Sequence, residues 1–542
     1  MTLKRLILIL LTLLVVFRVS VSLISSWGTP QITDRLQLYQ VDLVLHATEF
    51  QLESASEGEF SSARNAILGD EPLEAALEQY QSVRSSAQQN LEQFQSQLQT
   101  LTTETTTASR ADIVSAKATD TSEQLQQVQR SLQQQRSLVN QLDLRIGLIQ
   151  VTIDKTEAAL ETWNQVLKRS PEEVLPENAA PETVQNPYNL DMKLASKTAR
   201  TLIGLWSDPP RIFPEAEPQL QRTLDGWFRY QALTRLYMLQ QRSDALETLQ
   251  VAEQEIAQNT LLKLGLVTTL PLVGFIAGIV LLVGLLVQRL IQGNQAILAQ
   301  NQDTGWSTPW DWEITWQVLI VGFFFFGQLL LPILLQILLG IGLNFALFGS
   351  RASAVSVLIS YSLMAGMTSL VLFFSIRSHF PLPEGWFRLR GDRNWILWGI
   401  GGYLVALPLM ILVSLLNQQI WQGEGGSNPL LQIVLEEKDP ISLGIFLFTA
   451  AIAAPVFEEF LFRGFLLPSL TRYFPVSGAI ALSSLLFAVA HLSPSEVLPL
   501  AVLGSVLGVV YTRTRSLLAP MLLHSLWNSV TMAGLFILGS GS

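Results

Sequence analysis

Residues 264–288 read LGLVTTLPLVGFIAGIVLLVGLLVQ, twenty-five positions without one charged side chain. A helix needs about 20 mainly apolar residues to cross the hydrocarbon core of a bilayer, so this stretch is long enough to span one. Similar runs follow near 313–340, 354–376, 395–416, 441–463, 476–492, 496–512 and 517–539. At the other end of the chain, Lys4-Arg5 precedes an apolar run from Leu6 to Phe17, and after Arg18 the apolar residues continue to Trp27. A basic flank before an apolar run is the pattern of a signal anchor or a signal peptide. We expect residues 1–27 to be one or the other and favour a retained anchor; Ser20-Val21-Ser22 would be the cleavage sequence in the second case. The later runs are short or interrupted by polar residues. The expected fold is therefore all-α, a polytopic helical membrane protein of eight to nine transmembrane helices, nine when every run is counted.

Composition agrees with that reading. Charged residues are 14% of the 542 and hydrophobic ones 49%, where an ordinary soluble protein has roughly 25% charged. The charges are unevenly placed. Residues 1–263 hold 23 basic and 32 acidic side chains, leaving 11 and 12 for the remainder. There is no cysteine, which excludes disulfides, thiolate metal sites and a cysteine nucleophile. The net charge of −10 argues against nucleic acid as a partner.

Residues 28–260 contain no spanning run. They are rich in Gln, Leu, Glu and Ser, and apolar residues recur at helical spacing: Leu73, Leu77 and Tyr80, then Leu125, Val128, Leu132 and Leu138. That spacing predicts amphipathic helices, in a bundle or a short coiled-coil hairpin. A Pro-, Asn- and Glu-rich linker is expected over Ser170–Tyr188, a second break at Pro209-Pro210 and Pro214, and one long helix from about Gln219 to Gln258. The expected organisation is a helical exoplasmic domain (28–260), transmembrane helices with linking loops (261–394) and a C-terminal membrane domain (395–540). A homo-oligomer or a partner interaction through residues 28–260 is open at this point.

Loop charges set an orientation. With the N-terminus cytoplasmic, the inner loops carry Arg377, Arg388, Arg390 and Arg393, then Arg472, then Arg513 and Arg515. The outer loop after Asn417 carries Glu424, Glu436, Glu437 and Asp439 against Lys438. Positive charge falls inside each time, as the orientation rule requires.

Ionisable residues within apolar spans are costly and mark function by default. Here they cluster late in the chain: Glu458, Glu459 and Arg463, then His491, then His524 with Asn528. Glu459 and Arg463 are four apart and can pair along one helix face. Glu458 points about 100° away from Glu459, free to face a cavity. His524 and Asn528 share a face of the last span. Counting about 1.5 Å of rise per residue from a turn near Phe474-Pro475 puts Glu458 and His491 at matching depth. A carboxylate in an apolar cavity has its charged form disfavoured, which suits it to act as a base near neutral pH. Glu458 and His491 could activate a water, and His524 and Asn528 could donate to the oxyanion of a tetrahedral intermediate. His46 and His379 lie outside this cluster and are expected on the surface. Trp306, Trp310, Trp312 and Trp316 are expected in an interface belt.

Glu458-Glu459-Phe460-Leu461-Phe462-Arg463, Phe487-Ala488-Val489-Ala490-His491 and His524-Ser525-Leu526-Trp527-Asn528 resemble the E-E-x-x-x-R, F-x-x-x-H and H-x-x-x-N motifs of the CAAX-protease and bacteriocin-processing (CPBP, or Abi) intramembrane endopeptidases. The resemblance covers roughly residues 395–540. It implies cleavage of membrane-associated proteins or peptides, prenylated CAAX substrates among them, at a site opening toward the cytoplasmic half of the bilayer. It implies Glu458 and His491 as water activators, His524 and Asn528 as oxyanion donors, and Glu459 and Arg463 as structural support. A metal-free glutamate mechanism is the favoured reading. The alternative is a zinc ion held by Glu458, His491 and His524. A non-proteolytic scaffold or immunity-type protein retaining the fold is the rival function. A transporter would need paired internal repeats with broken helices, and none is apparent.

Overall fold

The computed structural model describes the chain apart from residues 1, 28–30, 32, 52–63, 66, 109–115, 170–186, 341–349, 391–393, 422, 424 and 540–542. Among the described residues all regular structure is helical, the all-α class read from the sequence. The chain divides into two compact units, one of residues 34–265 and one of residues 1–33 with 266–540.

The first unit is built from Thr33–Thr48, Pro72–Ala108, Ala116–Thr152, Thr156–Arg169, Pro187–Trp206, Ala216–Thr223, Gly226–Leu239 and the start of Ser243–Gln292. The Leu77/Tyr80 pattern continues through Val83, Ala87 and Leu91, all buried. Tyr80, Trp163, Trp227 and Phe228 anchor its core. The predicted break at Pro209-Pro210 separates Pro187–Trp206 from Ala216–Thr223. The predicted Ser170–Tyr188 linker lies, but for its last two residues, outside the described residues.

Two expectations change here. The single helix over 219–258 is three helices, broken at Leu224-Asp225 and at Gln240–Arg242. Gly226 has φ +50° and Gln241 φ 57°, the left-handed region that glycine enters without a Cβ penalty. Gly226 is needed for a second reason, because a Cβ there would stand 3.0 Å from Nε2 of His46. His46 is not on the surface. It is buried, with Nδ1 2.5 Å from Oε1 of the buried Glu253, and that partner offsets the cost of removing the ring from water.

Glu49 lies in the same unit. Its Oε1 accepts from Trp227 Nε1 (2.8 Å) and Gln231 Nε2 (2.7 Å), and burial pushes its carboxyl above the ordinary value. A carboxyl that holds its proton more tightly when folded contributes stability at low pH, and the contribution is lost as pH rises through the folded value. Glu49→Gln keeps an oxygen for both donors and cannot ionise. Its thermal midpoint in detergent is expected to fall less than that of wild type between about pH 4 and pH 7.

Among the described residues of the second unit, seven helices are long and apolar enough to cross a membrane: Leu3–Ser25, Trp312–Leu335, Ser350–His379, Trp395–Trp421, Pro440–Leu470, Pro494–Thr514 and Leu518–Gly539. An eighth, Ser243–Gln295, carries the 264–288 run. The ninth predicted span differs. Residues 476–492 form a helix only over Val476–Val489, 14 residues or about 21 Å, shorter than the ~30 Å hydrocarbon core. Leu492 takes φ 57° and Ser493, before Pro494, is extended, as a residue preceding proline prefers.

The N-terminal helix is packed into this unit. Leu8 and Val15 are buried, Thr12 Oγ1 accepts from Trp316 Nε1 at 2.9 Å, and Lys4 and Arg5 pair with Glu313. The start of Pro440–Leu470 follows from Asp439-Pro440-Ile441-Ser442. Asp439 accepts from the Ser442 N–H at 2.9 Å, Pro440 takes the first helical position, and Arg351 grips the Asp439 carboxylate with two bonds of 2.9 and 2.8 Å. The four tryptophans do not form one belt. Trp310 is buried and donates to Ser469 Oγ at 2.9 Å. Trp306 is stacked on Tyr511 and donates to the Gly385 carbonyl. The loop that carries both folds back over helix ends, so the indoles find partners within the protein. Trp312 alone of the four is exposed.

Candidate active site

The Pro440–Leu470 helix widens twice. Ala454 N–H bonds to Thr449 O, and Leu467 N–H to Phe462 O, each five residues back. Such π-turns are rare and concentrate at functional sites. Here they flank the Ala454–Glu458 turn. Pro455, within that turn, has no N–H. In the five-residue register the carbonyl of Ala450 therefore loses its helical donor. The Asn528 side chain replaces it, Nδ2 donating to Ala450 O at 2.7 Å.

Arg463 is fully buried. Its Nη1 donates to Glu459 Oε1 at 2.8 Å, its Nη2 to the Gly504 carbonyl at 3.1 Å, and its guanidinium lies 4.5 Å from the Phe487 ring centroid. Gly504 gives it room, since a Cβ there would stand 3.1 Å from Arg463 Nη2 and 3.0 Å from Ser484 Cβ. Glu459 Oε1 also accepts from His524 Nδ1 at 2.9 Å. That bond places the Nδ1 proton and turns Nε2 toward Glu458, 3.9 Å from its Oε2.

Glu458 is held differently. Oε1 accepts from the Tyr361 hydroxyl at 3.0 Å, whereas Oε2 is buried without a hydrogen-bond partner among the described residues. His491 lies in the turn after Val476–Val489, its Nδ1 donating to the Phe487 carbonyl at 2.9 Å. Both histidine rings flank Phe487, with centroids 4.9 Å away for His491 and 5.8 Å for His524. The Ala490 carbonyl, next to His491, accepts from Gln328 Nε2 at 2.7 Å.

Of the residues singled out in the sequence, Glu458, Glu459, Arg463 and His524 form one group, in which Glu459, Arg463 and His524 are buried and Glu458 is partly exposed. Asn528 lies one turn beyond His524 and His491 adjoins it through Phe487. No direct hydrogen bond joins His491 to Glu458 among the described residues; His524 is the histidine within 4 Å of its carboxylate. Sequence reasoning missed Tyr361 and Gln328, each a polar residue inside an apolar span upstream of the motifs. As for zinc, among the described residues no three His, Cys, Asp or Glu side chains come close enough to share an ion. The Glu458, His491 and His524 set does not fit one as arranged.

The group lies within the unit that carries the helices long and apolar enough to cross a membrane. Residues 440–530 match the family described as type II CAAX prenyl endopeptidase Rce1-like. The chain is 26% identical over 175 residues to "Membrane-embedded CAAX protease MroQ" of Staphylococcus aureus (strain USA300), covering 31% of this chain and 68% of that protein. It is 25% identical over 134 residues to "Putative membrane peptidase YdiL" of Bacillus subtilis (strain 168), covering 25% of this chain and 54% of that one. No solved structure matches.

Proposed function

We propose that this protein is an intramembrane endopeptidase that hydrolyses peptide bonds of membrane-associated substrates without a covalent enzyme intermediate. The observation that carries the reading is the Glu458 carboxylate: one oxygen held, the other buried, without a hydrogen-bond partner among the described residues and 3.9 Å from His524 Nε2. Glu458 takes a proton from water through Oε2. His491, with Nδ1 committed to Phe487 O, offers its other nitrogen to the same water. The hydroxide adds to the scissile carbonyl, and the proton passes from Glu458 to the leaving amine as the C–N bond breaks. His524 and the second Nδ2 hydrogen of Asn528 stabilise the oxyanion. Glu459 and Arg463 hold His524 in place.

The substrate class is testable directly. Protein purified and returned to vesicles is offered a farnesylated CAAX peptide and its unprenylated analogue, with and without a zinc chelator. Release of the terminal tripeptide from the farnesylated peptide alone assigns the CAAX-type class, and the reading without metal predicts equal rates with chelator. Cleavage that stops on chelation and returns with zinc overturns the metal-free reading.

The loop charges support a cytoplasmic N-terminus, residues 28–260 on the exoplasmic side and a site opening toward the cytoplasmic half. The packing of Leu8, Thr12 and Val15 supports retention of residues 3–25 as a span. Because the chain has no cysteine, single substitutions report the topology cleanly. Ser85→Cys is expected to react with an impermeant maleimide on intact cells, and Ser378→Cys only after permeabilisation. The reverse pattern inverts the orientation.

A further inference from the structure

The Ser350–His379 span lies outside the motif residues and outside the segment matched by the family. Several of its hydroxyl groups bond to backbone carbonyls. Ser356, Ser360, Ser362 and Ser375 bond back to carbonyls three or four residues earlier in their own helix, and Thr368 donates to the Gly322 carbonyl of a neighbouring helix. Tyr361 differs in reaching a carboxylate, although its hydroxyl also lies 3.5 Å from the Ala454 carbonyl. Its ring packs edge-on to Phe457, centroids 6.0 Å apart, and its hydroxyl crosses to Glu458 Oε1 at 3.0 Å.

The consequence lies in the asymmetry of the carboxylate. An oxygen that accepts a hydrogen bond has less density to offer a proton, and a carboxylate gripped at one oxygen cannot rotate freely. Oε1 is gripped and Oε2 has no partner among the described residues. Oε2 is also the oxygen that faces His524 Nε2. At 3.9 Å that separation is too long for a direct bond, and it lets one water touch both atoms from the side.

We propose that Tyr361 is a positioning residue of the site: its hydroxyl holds Glu458 Oε1 and so designates Oε2 as the oxygen that takes the proton from water. The inference rests on the reading of Glu458 as the base. During hydrolysis the water proton moves to Oε2 and then to the leaving nitrogen, while the Tyr361 proton stays on its own oxygen. The span thereby supplies part of the active site from outside the motif-bearing helices.

The test uses the full chain and two readouts. Infrared difference spectra across a pH titration in vesicles give the Glu458 carboxyl band, identified by its loss in Glu458→Gln. In cells, the rate at which new protein termini appear reports activity on whichever membrane proteins the enzyme cleaves there. Tyr361→Phe keeps the ring against Phe457 and removes only the hydroxyl. It is expected to move the Glu458 band to the frequency of a weaker hydrogen bond and to slow terminus formation about tenfold to a hundredfold, the range set by a bond to a charged group. A Tyr361→Phe protein with an unmoved band overturns the positioning role, as does one with a moved band and wild-type rates. The reading of Glu458 as base fails separately, if Glu458→Gln forms the same termini as wild type.

Discussion

Arg463→Ala is expected to cost about 3–5 kcal/mol of stability, because breaking a buried ion pair leaves its partner charged and alone. Arg463 is fully buried and bonds Glu459, the Gly504 carbonyl and the face of Phe487. Its removal strands the Glu459 carboxylate among apolar side chains with His524 as its remaining neighbour. The loss is measured as a lower thermal midpoint in detergent and less folded protein in membranes. A paired change separates stability from chemistry. Glu459→Leu with Arg463→Met removes both charges, and replacing a buried pair by apolar groups of similar size is often neutral. The double variant is expected to recover most of the midpoint and none of the activity, since His524 Nδ1 no longer has the acceptor that aims its ring. Recovery of activity along with stability would mean that Glu459 does not orient His524.

Glu458→Gln is expected to lower proteolysis by about 10²–10⁴-fold, the usual contribution of a general base, with the thermal midpoint almost unmoved. The second expectation follows from the geometry. A glutamine oxygen still accepts from Tyr361, and the position of Oε2 loses no hydrogen bond because it has no partner among the described residues. The contrast with Arg463→Ala is diagnostic, one variant folded and inert and the other poorly folded.

Much of this was legible in the sequence because it depends on local pattern. Spans declare themselves by runs of apolar residues, and the Glu459–Arg463 pair by its spacing of four. What needed the structure depends on long-range contact. Tyr361 and Gln328 are lone polar residues in apolar runs, and nothing local tells such a residue from one lying idle against its own helix. His46 reads as a surface residue because its buried partner, Glu253, lies far along the chain. Trp306 and Trp310 look like belt residues until their loop is seen to fold over helix ends. The depth arithmetic assumes regular α-helix with its constant rise, whereas the helix carrying Glu458 widens at Thr449–Ala453 and Glu459–Leu466. That change of register is also what gives Asn528 the free carbonyl of Ala450. The early end of Val476–Val489 is encoded in Ser493-Pro494, yet the apolar residues before it read as a longer span.

Hydrolysis at Glu458 and His524 is tested by a census of protein termini in membranes from cells carrying wild type, Glu458→Ala or His524→Ala at matched abundance. New termini in membrane-associated proteins are expected with wild type and absent with both variants. Identical termini in all three strains, with both variants still complementing a deletion phenotype, would contradict it and leave a scaffold that keeps the protease fold.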